Sequence, residues 1–544
     1  MPSLDKIAGA LQADFAAVVV GDGSVLVSAV STDTRTISEG QTFLALRGPN
    51  HDGHEHLDAA IAAGAQAIIV EEKTELDVPQ LVVSDTRLAL GQMARLWCQS
   101  FPAKRVAITG SNGKTTVKEM IAAILRCRVE RLDSAEGLAK VLATEGNLNN
   151  DIGLPLTCLS LKPSHRYAVL EMGTSSGGEI KYLSTLASPE IALVIGVAAA
   201  HLEGFDSVES IAHEKASIFS GLDEQGLAVF PLNTPYTNIF RQAAAHCNAL
   251  TFALTSDTGA DTSADANLVS EADVTAVINK VNVDQQHGST ATNSAHISLS
   301  ANLNSALAGC SFDISLQLLG QHNLSNALAA IATVCTLDVT EQDIVQGLAS
   351  VQAVPGRLQL RSGSPACLID DTYNANPASM HAAIDLLAKY PGKRVLVMGD
   401  MKELGGQELQ LHADAGSYAK AVGLDCLIAV GTLAAHAAGE FGENGVSFVS
   451  KREVAELLHK KLSAEHTVLF KGSRSARIEE IIDQLLKLAA GDGPDSLPPG
   501  SVTNEVTGEV RDGADDTDGI DTHFVAGAAD RQNYIGISHR LVFL

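Results

Sequence analysis

The stretch Arg105-Val-Ala-Ile-Thr-Gly-Ser-Asn-Gly-Lys-Thr-Thr116, continued by Val117-Lys-Glu-Met-Ile-Ala-Ala-Ile-Leu125, constrains the fold more than any other part of the chain. A β-branched run ends in a loop carrying Gly110 and Gly113, and the residues beyond the loop have the apolar spacing of a helix. Strand, loop and helix in that order cradle phosphate. Glycines let backbone N–H groups approach phosphate oxygens, and the helix start adds partial positive charge. Lys114 can then reach the outer phosphates, and the Thr115 hydroxyl can sit on a magnesium ion. The loop of Thr109, Gly110, Ser111, Asn112, Gly113, Lys114, Thr115 and Thr116 is therefore expected to bind a nucleoside triphosphate. It departs from the general phosphate-loop pattern at Ile108, where a glycine is usual.

With 544 residues the chain exceeds a single core, and about 100–200 residues per domain predicts three or four domains. A net charge of −26 opposes binding to nucleic acid or an anionic membrane, so any phosphate site must be local. The cysteines at 98, 127, 158, 247, 310, 335, 367 and 426 lack metal-binding spacing and read as core thiols of a reducing compartment. No apolar run reaches the roughly 18 residues of a membrane span, and the first residues lack the pattern of a secretion signal. These features predict a soluble, cytoplasmic protein without membrane insertion. Nothing in the sequence sets the oligomeric state, and a monomer is the default expectation.

Residues 1–85 mix β-branched runs with an alanine-rich helix near 57–64, an α/β pattern. They contain Val30-Ser-Thr-Asp-Thr-Arg35, Arg47 and His51-Asp-Gly-His54, which by themselves supply turn and capping chemistry. A helix over 86–100 leads to Pro102 and the phosphate loop. Near-continuous apolar strands at 167–172, 191–197 and 227–230 then indicate a parallel sheet covered on both faces. Glu171 falls at the C-terminal end of a strand, where open α/β sheets place ligands, and His201 and Lys215 lie beyond the next strand. Glu145-Gly-Asn-Leu-Asn-Asn-Asp-Ile-Gly-Leu-Pro155 is an amide-rich loop. Asn147, Asn149 and Asn150 there can recognise a peptide edge, or form a run of Asx turns.

Residues 255–305 are polar with weak alternation, as of strands separated by an enlarged loop. Gly320-Gln-His-Asn-Leu-Ser-Asn326 opens an alanine-rich helix, and Pro355-Gly-Arg357 marks a boundary. Four apolar strands come next, beginning near 366, 394, 426 and 467, and make a Rossmann-like domain that includes Asp370-Asp-Thr-Tyr-Asn-Ala-Asn-Pro377. From residue 491 the composition turns to Gly, Asp, Pro, Ser and Thr, too poor in apolar surface to fold alone.

Taken together, Thr-Gly-Ser-Asn-Gly-Lys-Thr-Thr, Glu-Gly-Asn-Leu-Asn-Asn-Asp-Ile-Gly-Leu-Pro, Leu-Glu-Met-Gly, Ala-His-Leu-Glu-Gly-Phe and Asp-Asp-Thr-Tyr-Asn-Ala-Asn-Pro resemble the Mur ligase superfamily over residues of about 25 to 488. The resemblance implies an α/β protein of three domains: a UDP-substrate domain (1–85), a central ATP-binding P-loop domain (86–355) and a C-terminal Rossmann-like domain (356–490), ahead of a tail (491–544). It implies that Ser31, Thr32, Asp33, Arg35, Arg47 and His54 face a UDP-sugar. His322, Asn323, Asn326, Arg357, Asp371, Tyr373 and Asn374 would join the loop in holding ATP. Two magnesium ions are implied, one on Thr115 and one held by Glu171, His201 and Lys215, the lysine carbamylated by carbon dioxide. Lys114, Glu171, His201 and Lys215 would then carry catalysis. The implied reaction is ATP-dependent joining of a muramoyl-tripeptide to D-alanyl-D-alanine.

Rivals within the class are a ligase adding the third residue of the peptide and a folylpolyglutamate synthetase. A P-loop regulatory or motor ATPase is a rival outside it. The chain lacks a recognisable Walker-B acid paired with an arginine finger, which counts against that last reading.

Overall fold

The computed structural model describes residues 2–48, 51–132, 140–199, 202–255, 271–282 and 292–491. His201, residues 256–270 and 283–291 of the polar region expected to hold an enlarged loop, and the expected acidic tail beyond residue 491 lie outside these residues. The chain gathers into two compact units, one running through Val354 and taking in Glu403–Gly405, the other comprising Pro355–Lys402 and the chain from Gly406. Within them stand three large sheets, each mixed with helices, so the expected α/β class and three-domain architecture hold.

The N-terminal sheet runs Val18–Val20, Gln80–Val82, Ala67–Val70, Thr42–Leu44 and Val30–Ser31, antiparallel at its first pair alone. Thr42–Leu44 and Val30–Ser31 carry too few residues to be read from alternation. The central sheet has nine strands in the order Ser311–Leu316, Thr292–Leu299, Val274–Asn282, Asn248–Thr255, Leu227–Pro231, Ile191–Val194, Lys104–Thr109, Tyr167–Glu171 and Val141–Ala143. Its first two pairs are antiparallel and the rest parallel.

Lys104–Thr109 is buried from Arg105 onward, as expected of a strand covered on both faces. One face lies under Lys114–Leu132, whose Val117, Met120, Ile121, Ile124 and Leu125 are buried with residues of His322–Val334 and Glu341–Ser350. The other lies under Thr86–Gln99, Gly153–Leu159 and Glu179–Ala187. That second core is continuous with Leu44, Ile69 and Leu81 of the N-terminal sheet, so Thr86–Gln99 serves both sheets. Its start is capped by Asp85, which accepts from the Leu88 N–H.

The C-terminal sheet runs Gln359–Arg361, Cys367–Asp371, His466–Lys471, Lys393–Gly399, Cys426–Val430 and Gly445–Phe448. It has six strands where four were expected. The antiparallel edge Gln359–Arg361 and the short Gly445–Phe448 are only partly buried, so they lack the apolar runs that reveal the inner four. All eight cysteines are free thiols. Among the described residues no helix is long and apolar enough to cross a membrane.

Glu341–Ser350 meets Lys114–Leu132 at Gly347, where an added Cβ would lie 2.6 Å from the Ile124 Cα and 2.7 Å from its N. Neither is a flexible group that can yield. Gly347→Ala should therefore destabilise this unit by about 1–3 kcal/mol through overpacking. The chain has one tryptophan, and Trp97 is buried in this unit with its Nε1–H on the Leu161 carbonyl at 3.0 Å. Urea unfolding followed by tryptophan fluorescence reads the shift directly, and an unchanged midpoint contradicts the contact.

Candidate functional site

From Lys104–Thr109 the chain first adds strands on one side, Val141–Ala143 and Tyr167–Glu171, and then crosses to Ile191–Val194 on the other. This reversal opens a crevice at the C-terminal end of Lys104–Thr109, the ligand position of open parallel sheets. The four residues after the strand form the phosphate loop. Gly113 has φ +81°, a conformation that L side chains rarely adopt. A Cβ there would also collide with the Asn326 side-chain oxygen. At Gly110 a Cβ would stand 3.0 Å from Ile195 Cβ.

The loop is tied to the next strand's exit. Ser111 N donates to the Gly196 carbonyl at 3.1 Å, and its hydroxyl bridges the Ala198 carbonyl and N–H at 3.0 and 2.9 Å. Thr109 Oγ1 donates to Met172 O at 3.0 Å. Lys114 Nζ donates to the Gly110 carbonyl at 2.8 Å, curled over the loop where a phosphate would compete for it. Thr115 is buried at the helix start, and Asn112 is exposed.

Asn323 and Asn326 are buried beneath the loop. Asn326 Nδ2 donates to Asn323 Oδ1 at 2.8 Å, and Asn323 Nδ2 to the Leu319 carbonyl at 2.6 Å. Their amides support the loop from below, whereas His322 is exposed.

Glu171 is 2% exposed and pairs in register with Ile108, beside the loop. Asn149 Nδ2 donates to its Oε1 at 2.8 Å, and its Oε2 is buried with no hydrogen-bond partner. A buried carboxylate oxygen left in this way is costly unless something positive meets it. No group of three or more His, Cys, Asp or Glu side chains suited to a metal converges among the described residues. Of the expected set, Glu171 is the one described residue of those types.

Lys215 closes the helix Val208–Ala216 and is 3% exposed. Burial lowers its pKa from 10.5 to about 7, the nearby Lys114 charge pushes the same way, and Glu214 opposes them. Glu214 is committed elsewhere, accepting from the Gly178 and Ile180 N–H groups at 2.7 Å and so fastening the start of Glu179–Ala187.

Of the amide-loop residues, Asn147 is exposed, while Asn150 Oδ1 accepts from the Gly153 N–H at 2.8 Å and begins the helix there. Ser31 and Asp33 shape a turn: Ser31 Oγ accepts from the Asp33 N–H at 3.2 Å, and Thr32 beside them is half-buried. Arg35 is 86% exposed and holds Asp33 at 2.7 Å, lowering that carboxyl to about 2. Arg47 is held between Asp52 at 2.9 Å and Glu71 at 2.8 Å. The Glu71 N–H donates to His54 Nε2, so the His54 proton sits on Nδ1 and is given to Asp52. Glu71 also accepts from Thr86, and Arg87 bonds Asp151 of the amide loop. One helix turn thus joins the N-terminal cluster to that loop.

In the second unit, the Arg357 guanidinium lies 4.0 Å over the Tyr373 ring. Lys471, 3% exposed, donates to Asp371 Oδ2 at 2.6 Å and to the Asn374 carbonyl at 2.9 Å. Sequence reading did not single out Lys471, Glu71 or Asp52. Each had one visible sign, a charged residue at the end of an apolar strand or beside a glycine.

A phosphate loop at a sheet's switch point, with a buried acid beside it, defines a P-loop nucleotide-binding protein. Residues 26–143 match the Mur ligase family catalytic domain, 108–334 the Mur ligase middle domain and 356–474 the Mur ligase glutamate ligase domain. The chain is 41% identical over 467 residues to the UDP-N-acetylmuramoyl-tripeptide–D-alanyl-D-alanine ligase of Escherichia coli (strain K12), covering 85% of this chain and 94% of that one. The crystal structure of MurF from Acinetobacter baumannii is similar with a TM-score of 0.75 and 33% identity, over 88% of this chain and 98% of that chain. MurF from Thermotoga maritima in complex with ADP is similar with a TM-score of 0.69 and 28% identity, over 86% and 98%. The chain belongs to the Mur ligase family.

The Lys471–Asp371 pair generates a stability test. Its partners are 3% and 16% exposed, and removing one side of a buried pair strands the other charge. Lys471→Met should cost the second unit about 3–5 kcal/mol, whereas Lys402→Met, at a pair of 3.7 Å whose lysine is 47% exposed, should cost under about 1 kcal/mol. Denaturation followed by far-UV circular dichroism distinguishes the two.

Proposed function

We propose that the chain is an ATP-dependent peptide ligase that joins UDP-N-acetylmuramoyl-tripeptide to D-alanyl-D-alanine. This is the last cytoplasmic step in building the pentapeptide precursor of peptidoglycan. The carrying observation is the phosphate loop set beside a buried carboxylate with an unmatched oxygen and a buried lysine that titrates near neutrality. The relatives named as MurF or D-alanyl-D-alanine ligases, matched over nearly their whole length, favour this substrate pair over a third-residue or folate substrate. The protein acts in the cytoplasm as a monomer.

The reaction needs ATP because a carboxylate is a poor electrophile. An oxygen of the tripeptide's terminal carboxylate attacks the γ-phosphorus and ADP leaves, giving an acyl phosphate. The dipeptide amine then attacks the acyl carbon, loses a proton, and phosphate departs as the amide forms. Lys114 and the loop N–H groups stabilise charge on the transferring phosphoryl group. His322, Asn323 and Asn326 hold the adenine nucleotide, and Arg357, Asp371, Tyr373 and Asn374 are the nucleotide-facing residues of the C-terminal domain. Ser31, Thr32, Asp33, Arg35, Arg47 and His54 hold the UDP end, and Asn147 and Asn150 line the way to the peptide.

Magnesium fits the residues present. Thr115 would hold one ion and Glu171, with His201 and a carbamylated Lys215, a second. Bound there, the ions would neutralise phosphate charge and polarise the phosphoryl group. The unmatched Glu171 Oε2 is the hard oxygen donor such an ion requires.

Purified protein given ATP, magnesium, UDP-muramoyl-tripeptide and D-alanyl-D-alanine should yield the pentapeptide by mass spectrometry, with phosphate release dependent on both peptides. Lys114→Ala should lower kcat by roughly 10²-fold or more while leaving the fold intact. Phosphate release without either peptide would instead support a regulatory ATPase.

Lys215 sets a pH expectation. With a pKa of about 7, the amine is neutral above that pH, and only the neutral nitrogen can add to carbon dioxide, forming an N–C bond and releasing a proton. Carbamate should therefore rise as pH increases through about 7. In ¹³C-bicarbonate, a carbamate resonance should appear in wild type and vanish in Lys215→Ala, whose activity a short exogenous carboxylate partly restores. A wild-type spectrum identical to that of Lys215→Ala defeats the assignment.

A further inference from the structure

The amide-rich loop reads as a peptide-recognition element, yet the Asn149 amide nitrogen is already bonded within the protein. Its Nδ2 donates to Glu171 Oε1 at 2.8 Å. Its Oδ1 lies over Gly173, within 2.9 Å of where a Cβ there would stand. Its backbone is held too, since the Gly173 N–H donates to the Asn149 carbonyl at 2.8 Å. One N–H of this side chain and its backbone carbonyl are therefore committed to Glu171 and the Gly173 turn.

The same loop grips Glu171 from its backbone. The Glu171 N–H donates to Thr144 Oγ1 at 2.9 Å, and the buried Lys118, one turn into the phosphate-loop helix, donates to the Thr144 carbonyl at 2.6 Å. Lys118, Thr144 and Asn149 therefore connect the phosphate-loop helix to one carboxylate. A glutamate carboxylate turns readily about its last torsion, and an amide donor on Oε1 alone stops that rotation. Oε2 is then the oxygen presented, and it is the one without a partner.

We infer that Asn149 is a positioning residue: it holds Glu171 so that Oε2 is offered to a divalent cation, and it does not contact the peptide. The inference rests on the reading of Glu171 as a magnesium ligand. Groups that orient a metal ligand typically govern affinity by about 10–100-fold.

The test uses the full chain with a non-hydrolysable ATP analogue and Mn²⁺ as probe, free Mn²⁺ being counted by electron paramagnetic resonance. Asn149→Ala and the nearly isosteric Asn149→Leu should weaken the Glu171-dependent Mn²⁺ site by about 10–100-fold. Their kcat should fall while KM for the UDP-tripeptide stays within about twofold, as expected when uniform substrate binding is untouched. Should the alanine variant fail to fold, judged by Trp97 fluorescence, the leucine variant decides. Unchanged Mn²⁺ affinity with a raised KM for the UDP-tripeptide overturns the inference and returns Asn149 to peptide binding. Glu171→Gln is measured alongside. If it binds Mn²⁺ as wild type does, the metal reading itself fails and the inference with it. If it loses a site that the Asn149 variants keep, only the inference fails.

Discussion

The placement of Lys104–Thr109 between Tyr167–Glu171 and Ile191–Val194 is the constraint on which the first unit depends. Parallel pairing aligns the C-terminal ends of all three strands, so a loop, an acid and a strand exit far apart in sequence emerge at one edge. Because the chain leaves this strand first to one side and later to the other, the connections diverge at that edge. The phosphate loop is then held by hydrogen bonds it could not supply itself, from Gly196 and Ala198 on one side and Met172 on the other.

Charge near the loop follows from burial. Lys114, Lys118 and Lys215 lie in or behind the crevice, and the two buried ones meet the cost of burial differently. Lys118 keeps its charge company with Glu119 at 2.7 Å and the Thr144 carbonyl. Burial itself lowers the affinity of Lys215 for a proton, the nearby Lys114 charge adds to this, and Glu214, which opposes them, is also bonded to two backbone N–H groups. One lysine becomes a structural cation, and the other a nitrogen available for chemistry near neutral pH.

Lys104–Thr109, Tyr167–Glu171, Ile191–Val194 and Leu227–Pro231 of the central sheet and the inner four strands of the C-terminal sheet were legible because burial writes them as apolar runs, whereas Asn248–Thr255, Val274–Asn282 and Thr292–Leu299 carry too many polar residues to show in that way. Gln359–Arg361 and Gly445–Phe448 were not, since an edge strand need not be apolar on both faces, and Thr42–Leu44 is fully buried but too short to show a pattern. The site divides in the same way. The phosphate loop is local, so its glycines, lysine and threonines declare themselves together in the sequence. Pairings such as Lys471 with Asp371, Glu71 with Arg47 and Asn149 with Glu171 are created by topology, and neither partner alone differs from an ordinary surface charge or loop amide. Asn149 shows the limit most clearly: its amide suggested recognition, and only the fold reveals that it bonds Glu171.

The approach of Asn326 to Gly113 bears on how such a chain can drift in sequence. A side chain at residue 113 meets the amide of residue 326. Removing that amide would still leave the left-handed backbone at residue 113 demanding glycine. The two sites therefore form a one-way lock in mutational terms. A change at residue 326 cannot free residue 113, which stays glycine until the loop itself is rebuilt.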